Sequence, residues 1–219
     1  MTELKRVFQC DGFTLKIIAI ITMIIDHIGV IFFPNVIAFR VIGRISFPIF
    51  AFLIVEGFLH TRDVKKYMIR LGGFALLSEI PFDLAFHGTV LEFGSQNVFF
   101  TLFLGVVLLY FYGQQYSNAA RVGCVILLLL AGDIFRTDYG AWGILMIFCF
   151  YAFHDRKVMQ MLSVIFINVV AFGLLQSFAV LALIPISLYN GKRGLPVKYL
   201  FYIIYPAHLL VLFLIKLMI

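Results

Sequence analysis

The stretch TLKIIAIITMIIDHIGVIFF (14–33) decides how this chain folds. It is roughly the 20 residues that an α-helix needs to cross the hydrocarbon core of a bilayer. In lipid the backbone N–H and C=O groups find no water, so a continuous apolar run satisfies them within its own helix. Ile17 to Ile25, Val122 to Ala131 and Met161 to Leu175 are continuous in the same way. None shows the strict apolar/polar alternation of a barrel strand. Of the 219 residues, 63% are hydrophobic and 13% charged, and mean hydropathy is +1.06. A chain so composed cannot coat a water-facing surface. That excludes a soluble enzyme, a disordered chain and a disulfide-stapled secreted module.

Working outward from 14–33, further spans are expected at roughly 39–60, 64–86, 97–113, 119–134, 139–153, 158–173, 176–190 and 198–218. The sequence therefore predicts an all-α, polytopic transmembrane bundle of about nine spans (eight to ten), with 1–219 as a single integral membrane domain. The division within 158–190 is the least marked, with Gly173, Gln176 and Ser177 as its turn signals. No small-residue cleavage site follows the first apolar run, so that run is expected to be retained as a span.

Charge orients the bundle. With the N-terminus cytoplasmic, Lys5, Arg6, Arg62, Lys65, Lys66, Arg121, Arg156, Lys157, Lys192, Arg193 and Lys198 fall on the inner side. Only Arg136 falls in the opposite loops. This asymmetry is the positive-inside pattern, and it accounts for the net charge of +6 without a nucleic-acid partner. Cys10, Cys124 and Cys149 lie far apart at no metal-ligand spacing, so neither a disulfide nor a bound metal is expected.

Ionisable groups within spans cost about 2.5–3.5 kcal/mol each on insertion scales. This chain has many: Lys16, Asp26, His27, Arg40, Arg44, Glu56, His60, Arg70, Glu79, Asp83 and His208. By span direction they sort into two layers. The outer layer gathers His27, Arg44, Glu79 and Asp83 with Asn97, Thr101 and Asp133, a mixture suited to acid/base chemistry. The inner layer is cationic: Lys16, His60, Arg62, Lys65, Lys66 and Arg70. A basic collar of this kind suits a phosphate-bearing ligand arriving from inside. Snorkelling side chains of an ordinary positive-inside loop explain Arg62, Lys65 and Lys66 equally well.

Ten residues separate Lys16 from His27. This resembles the basic-x10-His signature of the membrane acyltransferase superfamily, whose first span also begins with Asp-Gly, here Asp11-Gly12. LKIIAIITMIIDHIG (15–29), RISFPIFAFLIVEGFLHTRD (44–63), LLSEIPFD (76–83), QNVFFTL (96–102), DYG (138–140) and YPAHL (205–209) look like the TraX family. That family is named for the conjugation protein that N-acetylates F-type pilin. The resemblance spans nearly the whole chain. It implies a multi-pass protein of the bacterial cytoplasmic membrane that moves acetyl from cytoplasmic acetyl-CoA, as co-substrate, to an acceptor on the outer side. A pilin N-terminal amine, another secreted peptide or a cell-envelope glycan would serve as acceptor. It also implies that His27 is catalytic and Lys16 contacts the donor; Arg70, in KKYMIRL, aligns loosely with an arginine-rich CoA-contacting segment. Lysine at position 16, where broader relatives carry arginine, keeps the charge but loses the bidentate fork.

The helix geometry agrees with this. Eleven residues rise about 16 Å, on the order of an extended pantetheine arm. An imidazole suits a general base at neutral pH. Its second ring nitrogen needs a partner. Asp26 points about 100° away around the helix, so Glu79 or Asp83 is the expected partner, with Arg44 as a pairing or oxyanion-stabilising group. Arg62 and Lys66 complete the expected donor contacts, and His60 either joins them or caps the second span. A histidine hydrogen-bonded across helices is the structural alternative for His27, and His208, mid-span in YPAHL, fits a structural partner or an active-site role equally well. Two other functions compete: a small proton-coupled transporter or channel, since intramembrane Asp, Glu and His also mark proton relays, and an inactive factor that holds pilin in the membrane.

Overall fold

Asp11 starts the first helix by accepting a hydrogen bond from the Thr14 N–H at 2.7 Å, a side-chain N-cap. The computed structural model describes residues 9–171, 173–196 and 198–219. Lys5 and Arg6 of the inner-side tally lie outside the described residues, as does the side chain of Lys198. The helices are α1 (Gly12–Phe32), α2 (Ile37–Gly43), α3 (Ser46–His60), α4 (Val64–His87), α5 (Val98–Tyr112), α6 (Asn118–Ile134) and α7 (Gly140–Ala152). They continue as α8 (Lys157–Phe166), α9 (Gly173–Ser177), α10 (Leu183–Ser187) and α11 (Lys198–Met218). Asp63, Asn97 and Ser117 cap α4, α5 and α6 through their side chains. Among the described residues the architecture is all-helical, without a β-strand.

Gly12–Phe32, Ile37–His60 and Tyr199–Met218 are long and apolar enough to cross a membrane, and Val98–Tyr112, Gly140–Ala152, Lys157–Val170 and Gly173–Ser187 are shorter apolar helices. The outward faces are greasy: Leu174 is 89% exposed, Ile69 71% and Leu127 66%. A water-soluble domain buries such side chains, whereas a lipid-facing one presents them. The interior is also apolar, with Leu15, Ala19, Phe47, Ile49, Leu71, Leu109, Ile147 and Phe150 buried in one cluster. α3 sits centrally, against α1, α5 and α7, while α11 packs along α4 and α1.

Two stretches of the expected spans are interrupted. The segment expected as one span at 39–60 divides into α2 and α3 at Arg44–Ile45. Pro48 supplies the reason: it has no N–H to donate to the Arg44 carbonyl, and its fixed φ favours the first turn of a new helix. The segment 157–187 passes from α8 through a π-helical turn (Ile167–Ala171), α9 and a 3-10 turn (Phe178–Ala182) to α10. Gly173 adopts a left-handed φ of 77° between them, a conformation that glycine takes without a Cβ penalty. Asn168 and Gln176 are buried here, joined by a 3.1 Å hydrogen bond from the Gln176 amide to the Asn168 oxygen.

Candidate functional site

A buried carboxylate is tolerated only when cations and hydrogen bonds replace its water. Asp26, buried on α1, accepts from Arg40 Nη1 at 2.7 Å and from Arg44 Nη2 at 2.8 and 2.9 Å on its two oxygens. Arg40 lies on α2 and Arg44 at its C-terminal cap, four residues apart and hence on one face. The other hand of Arg44, Nη1, reaches the Gln176 side-chain oxygen at 3.3 Å. The interrupted helices α8–α10 thus help to hold the arginine. Gly43 leaves room for this clamp, because a Cβ there would collide with the Asp26 carboxylate.

The next residue, His27, faces elsewhere. Its Nδ1 lies 2.7 Å from Nε2 of His208 on α11, and the two rings are nearly parallel (13°) with centroids 5.0 Å apart. The His208 Nδ1 is 2.8 Å from the Ile204 carbonyl. Phe86 packs edge-on against the His27 ring at 5.2 Å. The expected Nδ1 partner, Glu79 or Asp83, is therefore replaced by His208. Both carboxylates are engaged one helix away. Glu79 accepts from the Asn97 side-chain amide and, at 3.3 Å, from the Asn97 backbone N–H. Asp83 accepts the Glu92 N–H at 2.8 Å. They tie α4 to the loop ahead of α5 and do not bond His27.

His27, Asp26, Arg40, Arg44, Ser46 and Asp138 line one cavity of about 270 Å³, together with aromatic side chains. Phe47 and Tyr139 form a stacked wall, centroids 3.6 Å apart and planes 6° from parallel. Asp138, in the turn between α6 and α7, opens onto the cavity and is exposed there, yet protein surrounds it on its other sides. That desolvation pushes its carboxyl up to about 6, while Arg44 pulls the other way.

The inner-layer residues separate into two groups. Lys16 and Arg70 converge on the start of α11. Lys16 Nζ lies 5.1 Å from the Phe201 ring centroid, and Arg70 stands over Tyr67 at 5.7 Å and hydrogen-bonds Tyr202. His60, Arg62 and Lys66 instead sit at the α3–α4 turn. The His60 ring bonds the Glu56 carbonyl at 2.9 Å, Lys66 pairs with Asp63 at 3.4 Å, and Arg62 is exposed. Arg40, Asp138 and His208 are site residues that sequence reasoning did not assign. Arg40 carried the one usable signal, its spacing of four from Arg44. His208 and Asp138 lay within the family-like stretches YPAHL (205–209) and DYG (138–140), which marked them without assigning a role.

A family model described as TraX protein matches residues 11–216. A protein of Dichelobacter nodosus named "Probable fimbrial assembly protein FimC, serogroup H1" is 28% identical over 242 aligned residues, covering 95% of this chain and 97% of that protein. An uncharacterized protein of Rickettsia prowazekii (strain Madrid E) is 29% identical over 182 residues, covering 80% of this chain and 68% of its own length. No solved structure gives a significant match. With a match extending from the cap of α1 almost to the end of α11, the chain belongs to the TraX family.

Proposed function

We propose that this protein is an acetyl-CoA-dependent acetyltransferase of the bacterial cytoplasmic membrane, crossing it about nine times with its N-terminus inside. The helix order and the loop charges support that topology. One observation carries the chemical reading: a single helix, α1, holds a cation near its inner end and an accessible imidazole eleven residues later, facing a cavity lined by charged and aromatic side chains. Lys16 and Arg70, both against the start of α11, supply positive charge for the donor phosphates. The rise between Lys16 and His27, about 16 Å, matches the arm that carries the thioester.

His27 takes a proton from the attacking amine as its nitrogen bonds the thioester carbonyl carbon. The C–S bond then breaks, and the proton returns from the imidazolium to the leaving sulfur, giving an N-acetyl product and free CoA thiol. Arg44, already fixed by Asp26 and Gln176, lies on the cavity wall as the group to stabilise the oxyanion. The fimbrial name of the Dichelobacter relative and the family's eponym favour a pilus subunit's N-terminal amine as acceptor.

Inside-out membrane vesicles supplied with labelled acetyl-CoA test this. Label should enter the protein fraction. His27→Ala should abolish transfer, and Lys16→Ala should chiefly raise the donor KM, by about tenfold for one lost charge contact. Label confined to glycan would replace the amine acceptor by a hydroxyl. Equal incorporation by all three proteins would refute the assignment.

A further inference from the structure

The hydrogen-bond chain from His27 through His208 to the backbone dictates which nitrogen of His27 is the base. The Ile204 carbonyl can only accept, so Nδ1 of His208, 2.8 Å away, carries the hydrogen. A neutral imidazole has one N–H, so the His208 Nε2 presents a lone pair. His27 Nδ1, 2.7 Å from that lone pair, is then the donor. Its own single hydrogen is used there, and Nε2 is left bare. Among the described residues no hydrogen bond is made by that Nε2, and the ring lines the cavity. The parallel, edge-to-edge ring arrangement is the one such a bond requires.

We infer that His208 is the positioning residue for His27: it locks the Nδ1–H tautomer and keeps the Nε2 lone pair directed into the cavity. When Nε2 gains the acceptor's proton, the Nδ1–H bond to His208 tightens and spreads the new charge over two rings. This is the task that a carboxylate performs in a hydrolase triad, done here by a neutral group. A neutral partner avoids placing another carboxylate beside the Asp26–Arg40–Arg44 clamp. The inference rests on the acetyl-transfer reading for its kinetic consequence but not for the tautomer itself.

Two experiments test it. The first is initial-rate kinetics with labelled acetyl-CoA in the same vesicles, comparing wild type, His27→Ala, His208→Leu and His208→Gln. Leucine fills the space without accepting a hydrogen bond, so kcat should fall by about a hundredfold or more while the donor KM stays within about threefold. Glutamine offers an oxygen to the His27 Nδ1–H and should recover at least about tenfold of that loss. If His208→Leu turns over within about threefold of wild type while His27→Ala is dead, the positioning role falls and the transferase reading stands. If His27→Ala is fully active, the transferase reading itself falls. The second experiment needs no activity and no folded variant. In histidine-labelled protein in detergent at neutral pH, nitrogen NMR should show His27 protonated at Nδ1 and bare at Nε2. A hydrogen on Nε2 would overturn the inference.

Discussion

Asp26 and His27 are consecutive, yet each is held by a different wall of the protein. Asp26 turns toward α2 and its two arginines, and His27 turns toward α11. The turn of about 100° between neighbours on a helix separates them. The sequence made His27 legible because a histidine and a lysine at this spacing share one helix, a purely local relation. The identity of its Nδ1 partner was not legible: Glu79 and Asp83 were expected from their depth, and only the packing of α11 against α1 brings His208 to the ring. Asp138 shows the same limit, because its raised carboxyl comes from protein folded around a turn. Its sign is testable. The native carboxyl takes up its proton near pH 6 and the unfolded one near the usual value of about 3.9. Between those values the native state binds more protons, so this group's contribution to stability falls as pH rises through the window. Asp138→Asn should therefore unfold at a higher temperature than wild type at pH 7.5, with the gap closing by about pH 4. Thermal unfolding in detergent at the two pH values checks this, and an identical gap at both would contradict it.

Among elements, the informative ones are those that break. The sequence reads 39–60 as one span because its apolar character is continuous. The division at Arg44–Ile45 follows from Pro48, whose missing N–H leaves the Arg44 carbonyl without its helical donor. The break has a use: it lets Arg40 and Arg44 on α2 meet Asp26 while α3 continues into the core. Gly43 is the tight point. Gly43→Ala should cost about 1–3 kcal/mol, since the new methyl must displace either the Asp26 carboxylate or the α1–α2 contact. Chemical denaturation in mild detergent measures it, and an unchanged midpoint would show that the clamp can yield. The segment 158–190 was read as two spans, 158–173 and 176–190, with Gly173 among its turn signals, and Gly173 is indeed in the left-handed region. Gln176 and Ser177 likewise stand just ahead of the 3-10 turn, whereas the π turn had no such signal; it contains Asn168, whose oxygen accepts from the Gln176 amide while the Gln176 oxygen accepts from Arg44.

For the whole molecule, the prediction that carries furthest is orientation. Lys16 and the His27 cavity lie toward opposite ends of α1, so on the proposed topology the two faces of the membrane see different chemistry. A cysteine replacing Thr89, in the loop after α4, should react with an impermeant maleimide added to intact cells. One replacing Arg62 should react only after permeabilisation. The reverse pattern would turn the bundle over and remove the donor from the side where acetyl-CoA is made. The all-helical class was legible throughout, because a continuous apolar run satisfies its backbone within a helix. The arrangement of helices around the cavity was not, since a surface and an interior that are both apolar leave hydropathy unable to tell one face from another.

The cavity beside His27 is small, about 270 Å³, which is a few side chains' worth of room and far less than a folded subunit. On the transfer reading the acceptor stays outside and only dips in a tip. Such a mouth discriminates by shape before it discriminates by chemistry: a loose chain end passes, while the same amine on the flank of a globular body is kept out.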